Sequence, residues 1–295
     1  MKRMNDDLRL IADSIREVYG PLTFMVLEIG ARPLEGQAEP FHDLLDLFPG
    51  SQIAAFEIDE KLCEELNRQA KPGFRYFPVA LGRTEETRAL YETVHPMCTS
   101  LYRPNEELLR RYNNMEAAML KSVGSIGTVG LDHFMRENGV ARADFIKIDV
   151  QGAELDVFEG GVDSLRRTVA IVSEVEFIPH YLDQPLFGDV CKFLTEQGFL
   201  FHKFLGLAGR TLKPFVVNSK PSLAIQHIWT DAMFLRDLPR LPDLPEDSLL
   251  KMATLAFLYF SPDVALHCLR LFDERNRTDL CRRIFSSIKI QIRQY

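Results

Sequence analysis

The sequence predicts an α/β fold: a mostly parallel sheet with helices on both faces, followed by a helical appendage. Three observations predict it. Short apolar runs alternate with amphipathic segments between residues 22 and 81. The runs are near-continuous rather than alternating in apolar residues, as in strands buried on both faces. A stretch punctuated by Pro239, Pro242 and Pro245 then separates this region from a tail with helical spacing.

Each element has its own signal. Leu8, Ile11, Ile15 and Val18 share one helical face, and Gly20-Pro21 stops that helix. "LTFMVLEIGA" reads as a first buried strand and "EPFHDLLDLFPG" as a helix closed by Pro49-Gly50. "QIAAFEID" is a second strand. "EKLCEELNRQ" is a helix with Asp59 as its N-cap, and "FRYFPVAL" is a third strand closed by Gly82. The pattern loosens over 83–130, where a helix is expected near 105–120. "GLDHFMRENGV" is a short helix ending at Asn138-Gly139. "ADFIKIDV" is a fourth strand, a helix is expected near 153–159, and "VAIVSEVEF" is a fifth strand. "LFGDVCKFLTEQGF" is a helix, and "FLFHKFLG" with "QHIWTDAMFLR" makes a closing strand pair. "DLPRLPDLPED" reads as an extended linker. "SLLKMATLAFLYF", "SPDVALHCLRLF" and "DLCRRIFSSIKIQI" are helical, with Ser261 and Pro262 opening the second. The expected division is an N-terminal helix (1–20), a main domain (21–236), a Pro-rich linker (237–245) and a helical appendage (246–295) that packs on the main domain.

Composition narrows the function. The formal charge of -7, from 35 basic and 42 acidic residues, argues against nucleic-acid binding and against attraction to anionic membranes. Residues 1–20 contain no apolar core of a signal peptide, and no run approaches the ~18 apolar residues of a membrane span. The five cysteines are odd in number and without C-x-x-C spacing, which predicts reduced thiols and a cytoplasmic location. No set of His, Cys and acids has metal-ligand spacing, so a required metal is not indicated.

Ligands on such sheets bind at the carboxyl ends of the strands. Those ends carry Glu28, Gly30 and Ala31, then Glu57, then Ala80 and Leu81, then Asp149, then Glu174 and Glu176. Gly30 lets backbone approach a ligand, and Glu57 can accept both hydroxyls of a ribose. The loop "ARPLEGQAEP" absorbs the excess over the usual spacing of ~20 residues between such a glycine and such an acid. Gly30 is followed by Ala31-Arg32-Pro33-Leu34-Glu35-Gly36, so the second and third glycines of a dinucleotide fingerprint are out of register. A P-loop is absent as well. An adenosine cofactor without phosphate, such as S-adenosylmethionine, tolerates this best.

"DFIKIDVQGAELDVFEGG" resembles the signature of the FkbM-type methyltransferases, a class I family that uses S-adenosylmethionine. "VLEIGA", "AAFEIDEKLCEELN", "PVALG", "GLDHF", "SEVEFIPHYLDQPLFGDVCKFLTEQGF" and "TDAMFLR" are similar to further family segments, so the likeness spans about 22–236. Two departures stand out: Arg32-Pro33-Leu34 where members have a small polar stretch and another glycine, and Gln151 where glutamate is common. The resemblance implies a Rossmann-like class I methyltransferase fold with a seven-stranded sheet. It implies that Glu28, Gly30 and Ala31 line the methionine and ribose end, that Glu57 holds the ribose, and that Ala80 and Leu81 lie near adenine. Asp149 then sits by the transferring methyl, and the implied acceptor is a hydroxyl on a small molecule or glycan.

Asp149 is the first candidate to orient or deprotonate that acceptor, with helix capping as its alternative role. Glu154 is second, its alternative being charge complementarity at a helix start. His180 is a further candidate base, or a surface residue. Lys147 reads as an ion-pair partner of an acid on a neighbouring strand. His95, Thr99 and Ser100 are placed in an acceptor wall, and Tyr102 and Tyr181 either stack on the acceptor or pack the core. Two rival functions stay open: a nicotinamide-dependent oxidoreductase, and a catalytically inactive binding module on the same fold.

Overall fold

The computed structural model describes residues 2–33, 38–217 and 226–287. The strands are β1 (Met25–Ile29), β2 (Gln52–Phe56), β3 (Phe74–Phe77), β4 (Ala80–Gly82), β5 (Glu86–Thr93), β6 (Leu120–Gly130), β7 (Phe145–Ile148), β8 (Ala170–Glu176), β9 (Phe199–Phe204), β10 (Ala208–Gly209) and β11 (His227–Arg236). The helices are α1 (Lys2–Val18), α2 (Leu44–Leu47), α3 (Glu60–Gln69), α4 (Glu106–Leu109), α5 (Leu131–Glu137), α6 (Glu154–Glu159), α7 (Val162–Leu165), α8 (Phe187–Glu196), α9 (Glu246–Leu258), α10 (Pro262–Asn276) and α11 (Leu280–Ser287). Residues 34–37 of the loop after β1 and the end of the last predicted helix lie outside the described residues.

The main sheet runs β3-β2-β1-β7-β8-β11, with β9 and β10 both on the free edge of β11. Strands β3 to β8 in that order are parallel, and β11 is antiparallel to β8 and β9. Strand order therefore reverses between β1 and β7, where Glu28 pairs with Lys147 and Ile29 with Ile148. The crevice for a ligand opens at that switch. The sheet has eight strands rather than seven because the two-residue β10 continues the edge begun by β9.

Two apolar layers sandwich the sheet. On one face Leu8, Ile11 and Ile15 of α1 and the buried residues of α9 and α10 meet Phe145, Val172 and Met233. On the other, Phe134, Val157, Phe158 and Leu194 meet Leu27, Ile146 and Ile148. Residues Leu249 to Leu258 of α9 are all buried, so this helix shows no polar face. Lys251 lies among them, with Nζ 2.9 Å from Asp144 Oδ1 and 3.1 Å from Asp247 Oδ2.

Three expectations are corrected. "FRYFPVAL" is not one strand: Pro78, which has no N–H to give a ladder, separates β3 in the main sheet from β4, which joins β6 and β5 in a second, three-stranded sheet. The long helix near 105–120 is instead the single turn α4 and a 3-10 turn at Glu116–Ala118, interrupted by Asn114 in left-handed backbone (φ 58°). The proline-rich stretch is not extended: Leu238–Asp243 form a 3-10 helix. Proline's fixed φ suits that turn, buried Leu241 anchors it, and Arg275 donates to Leu244 O at 2.6 Å.

Candidate functional site

The turns after β1 and β7 touch. Gly30 has φ +82°, and a Cβ there would lie 1.8 Å from the Asp149 carbonyl oxygen. The Gly30 and Ala31 amides both donate to Phe56 O, at 3.0 and 2.8 Å, which bends the chain away over β2. Above this junction lies a cavity of about 480 Å³, within the range of small-molecule sites. Its floor includes Gly30, Phe56, Glu57, Asp149 and Gln151, and Ala80 and Leu81 of β4 line its side. Its roof comes from the second sheet and the segment between β5 and β6, including Leu90, Met97, Thr99, Ser100 and Lys121.

The sequence candidates divide accordingly. Gly30, Glu57, Ala80, Leu81 and Asp149 line this cavity, as do Thr99 and Ser100. Glu28, Ala31, Glu154 and His180 are not among its lining residues. Strand alternation turns Glu28 to the opposite face from Leu27 and Ile29, where its Oε2 lies 2.9 Å from His42 Nε2. His180 is buried edge-on to Trp229, and burial followed by the Arg210 charge pushes its imidazole down to about 4. His95 Nδ1 accepts the Met97 amide at 3.3 Å. Tyr181 is 1% exposed, so its ring packs in the interior.

Glu57 is 6% exposed, and its Oε1 accepts from the Asp59 amide at 2.9 Å and from Arg32 at 3.3 Å. A carboxylate has about four lone-pair sites, so Glu57 keeps capacity for further donors.

Asp149 does not cap the following helix. Helix α6 has Ala153 at its N-cap with no side-chain cap, and Asp149 Oδ1 instead accepts from Gln151 Nε2 at 2.7 Å. The turn is tied by Glu154, whose Oε1 accepts from the Val150 amide at 2.8 Å and the Gly152 amide at 3.3 Å. Carboxylate oxygens of Asp149, Glu154 and Glu174 lie within 4.8 Å of one another. Such a cluster, brought together from β7, α6 and β8, is not visible in sequence spacing, and acids alone do not define a metal centre. Burial, then the Asp149 charge, pushes Glu154 up to about 7. Burial, then Asp149 and Glu176, holds Glu174 well above the usual carboxylate range. Lys147 is disfavoured by burial, but Asp231, Asp149, Glu39 and Glu174 outweigh this and hold its ammonium above its ordinary value. Its Nζ lies 3.1 Å from Asp231 Oδ1, on a strand two places away.

The raised Glu154 carboxyl has a sign that can be tested. A folded state that holds this proton more tightly than the unfolded chain gains stability below the ordinary carboxylate range and loses it as pH rises through about 7. Glu154→Gln keeps an oxygen for the two amides and removes the charge. It is expected to melt a few degrees above wild type near pH ~8, with the gap narrowing towards pH ~5. Differential scanning calorimetry across that range checks it, and a gap that widens at low pH contradicts the assignment.

Asp156 was not singled out in the sequence, yet it joins roof to floor. It is 2% exposed, accepts the Tyr102 hydroxyl at 3.0 Å, and pairs with Arg83 and Arg88 at 3.2 Å each. An acid on the buried face of α6 was the available signal, since a buried carboxylate needs partners.

The chain matches the family described as methyltransferase FkbM domain over residues 28–201. No curated protein matches it. It is similar to the crystal structure of magnesium protoporphyrin IX methyltransferase from Synechocystis PCC 6803 with bound SAM, at 11% identity and a TM-score of 0.35 over 79% of each chain. It is also similar to a structure from Thermoplasma acidophilum described as a methyltransferase, at 8% identity and a TM-score of 0.30, over 74% of this chain and 69% of that one.

Proposed function

This chain belongs to the FkbM methyltransferase family, and from that premise we propose that it methylates a hydroxyl on a small molecule or glycan. The methyl donor of that family is S-adenosylmethionine. The cavity fits its adenosine half: backbone without a side chain at Gly30, a nearly buried carboxylate at Glu57, and apolar walls at Phe56, Val79 and Leu81. Glu57 would hold the ribose hydroxyls, and Ala80 and Leu81 would flank the adenine. When bound, S-adenosylmethionine supplies a methyl group on a cationic sulfur.

Oxygen as the acceptor atom is what the family likeness implies, and the observation that supports a base for it is Asp149. A hydroxyl is a weak nucleophile until its proton is taken. Asp149 presents a carboxylate in the cavity floor, and its Oδ1 is already held by Gln151. Roof residues Thr99 and Ser100 line the same space as Asp149. Asp149 would take the hydroxyl proton as the oxygen–carbon bond forms. Orientation of the acceptor in line with the donor supplies most of the remaining rate.

The test uses methyl-tritiated S-adenosylmethionine with a panel of hydroxyl, amine and thiol acceptors, followed by the linkage of the labelled methyl. Label on oxygen is expected. Asp149→Asn is expected to retain S-adenosylhomocysteine affinity by calorimetry while turnover falls by about 10²-fold. Label found on nitrogen or sulfur, or undiminished turnover of the variant on its true acceptor, would refute the reading.

A further inference from the structure

The turn after β7 sets an uncharged side chain at the centre of the acids. Gln151 has left-handed backbone (φ 58°), a conformation that a non-glycine residue keeps only where its surroundings fix it. Its carbonyl oxygen accepts the Ser100 hydroxyl at 2.6 Å. Its Nε2 lies 2.7 Å from Asp149 Oδ1 and 2.5 Å from Glu174 Oε2. Its Oε1 lies 3.0 Å from the Tyr181 hydroxyl, which is also 2.9 Å from Cys98 O.

Chemistry orients this amide. Asp149 Oδ1 and Glu174 Oε2 both have acceptor capacity, and the amide nitrogen faces the two of them. Tyr181 is buried, and burial holds its hydroxyl proton well above the usual range; that one proton faces two acceptors, Cys98 O at 2.9 Å and the amide oxygen at 3.0 Å. A flipped amide would oppose oxygen to oxygen at Asp149. An amide also gives two protons to two acids without adding charge. A lysine here would neutralise Asp149, and a glutamate would add another acid to a crowded set.

We propose that Gln151 is the positioning residue of this site: its carboxamide nitrogen clamps Asp149 beside Glu174 and commits Asp149 Oδ1, so that Oδ2 takes the acceptor's proton. This rests on the reading of Asp149 as the base. The groups facing Asp149 are Lys147 on β7, Glu154 on α6, Glu174 and Glu176 on β8, and Cys98 and the buried Tyr181 from the loops.

The experiment reads Glu174, the amide's other partner, in the protein without donor. Glutamate labelled with ¹³C at the side-chain carboxyl reports its titration by NMR, and the Glu174 signal is the one lost in Glu174→Gln. Gln151→Met keeps an unbranched side chain of similar length and removes both donors. Gln151→Glu adds a charge instead. The Glu174 midpoint is expected to move to higher pH in Gln151→Met and further in Gln151→Glu, with the fold intact by circular dichroism. A midpoint unmoved in both variants overturns the positioning role, even in a chain that binds S-adenosylhomocysteine normally. Wild-type protein that binds no S-adenosylhomocysteine strikes the methyltransferase reading instead, and the titration still decides Gln151. If Gln151→Met does not fold, Gln151→Glu decides alone.

Discussion

Gly30→Ala is expected to abolish measurable binding of S-adenosylhomocysteine and to lower the melting temperature of the protein. The added Cβ would sit 1.8 Å from Asp149 O and 2.8 Å from its carbonyl carbon. Both are backbone atoms, so no side chain can turn aside. The residue also has φ +82°, which costs a residue with a Cβ about 1–2 kcal/mol before any clash. Relief requires the ends of β1 and β7 to part. That movement breaks the bond from the Asp149 amide to Ile29 O, 2.9 Å across the seam, and displaces Asp149 from the cavity floor. Calorimetric titration and a thermal melt check both halves of the expectation. An alanine variant with wild-type affinity and melting temperature would show that the two turns are not in contact.

Lys251→Ala is expected to cost about 3–5 kcal/mol of folding free energy, measured by urea denaturation. Lys251 is fully buried, and its ammonium lies 2.9 Å from Asp144 and 3.1 Å from Asp247. Asp144, 2% exposed, also accepts the Met25 amide at the start of β1 and lies 3.4 Å from Arg142. Removing the lysine leaves a carboxylate in an apolar layer with only the partly exposed Arg142 to balance it. Replacing both partners is milder than breaking the pair. Lys251→Met combined with Asp144→Asn is therefore expected to recover part of the loss. A single variant within 1 kcal/mol of wild type, roughly the value of a surface pair, would contradict this account.

The sequence disclosed the elements whose physics is local. Strands β1, β2, β7 and β8 are short apolar runs buried on both faces, and α3 opens on Asp59, whose side chain accepts the Leu62 amide at 3.1 Å. Strand β6 went unread because Gly124 and Gly127, with Ser122 and Ser125, look like a loop. Its strand character comes from pairing with β5, not from a buried face. Glu28 illustrates the same limit at the site. A carboxylate two residues before Gly30 sits at the correct strand end, yet the pleat directs it to His42. Gln151 is the clearest case. Its partners Glu174, Tyr181 and Ser100 lie 23, 30 and 51 residues away, and no periodic pattern encodes such a meeting.

The burial of α9 against the sheet bears on how the protein is made. Chain leaves the ribosome from its amino end, and the whole sheet emerges before residue 246 does. Until then Phe145, Val172 and Met233 have no α9 to shield them from water. The nascent protein therefore carries an oily flank until α9 and the helices after it take that place.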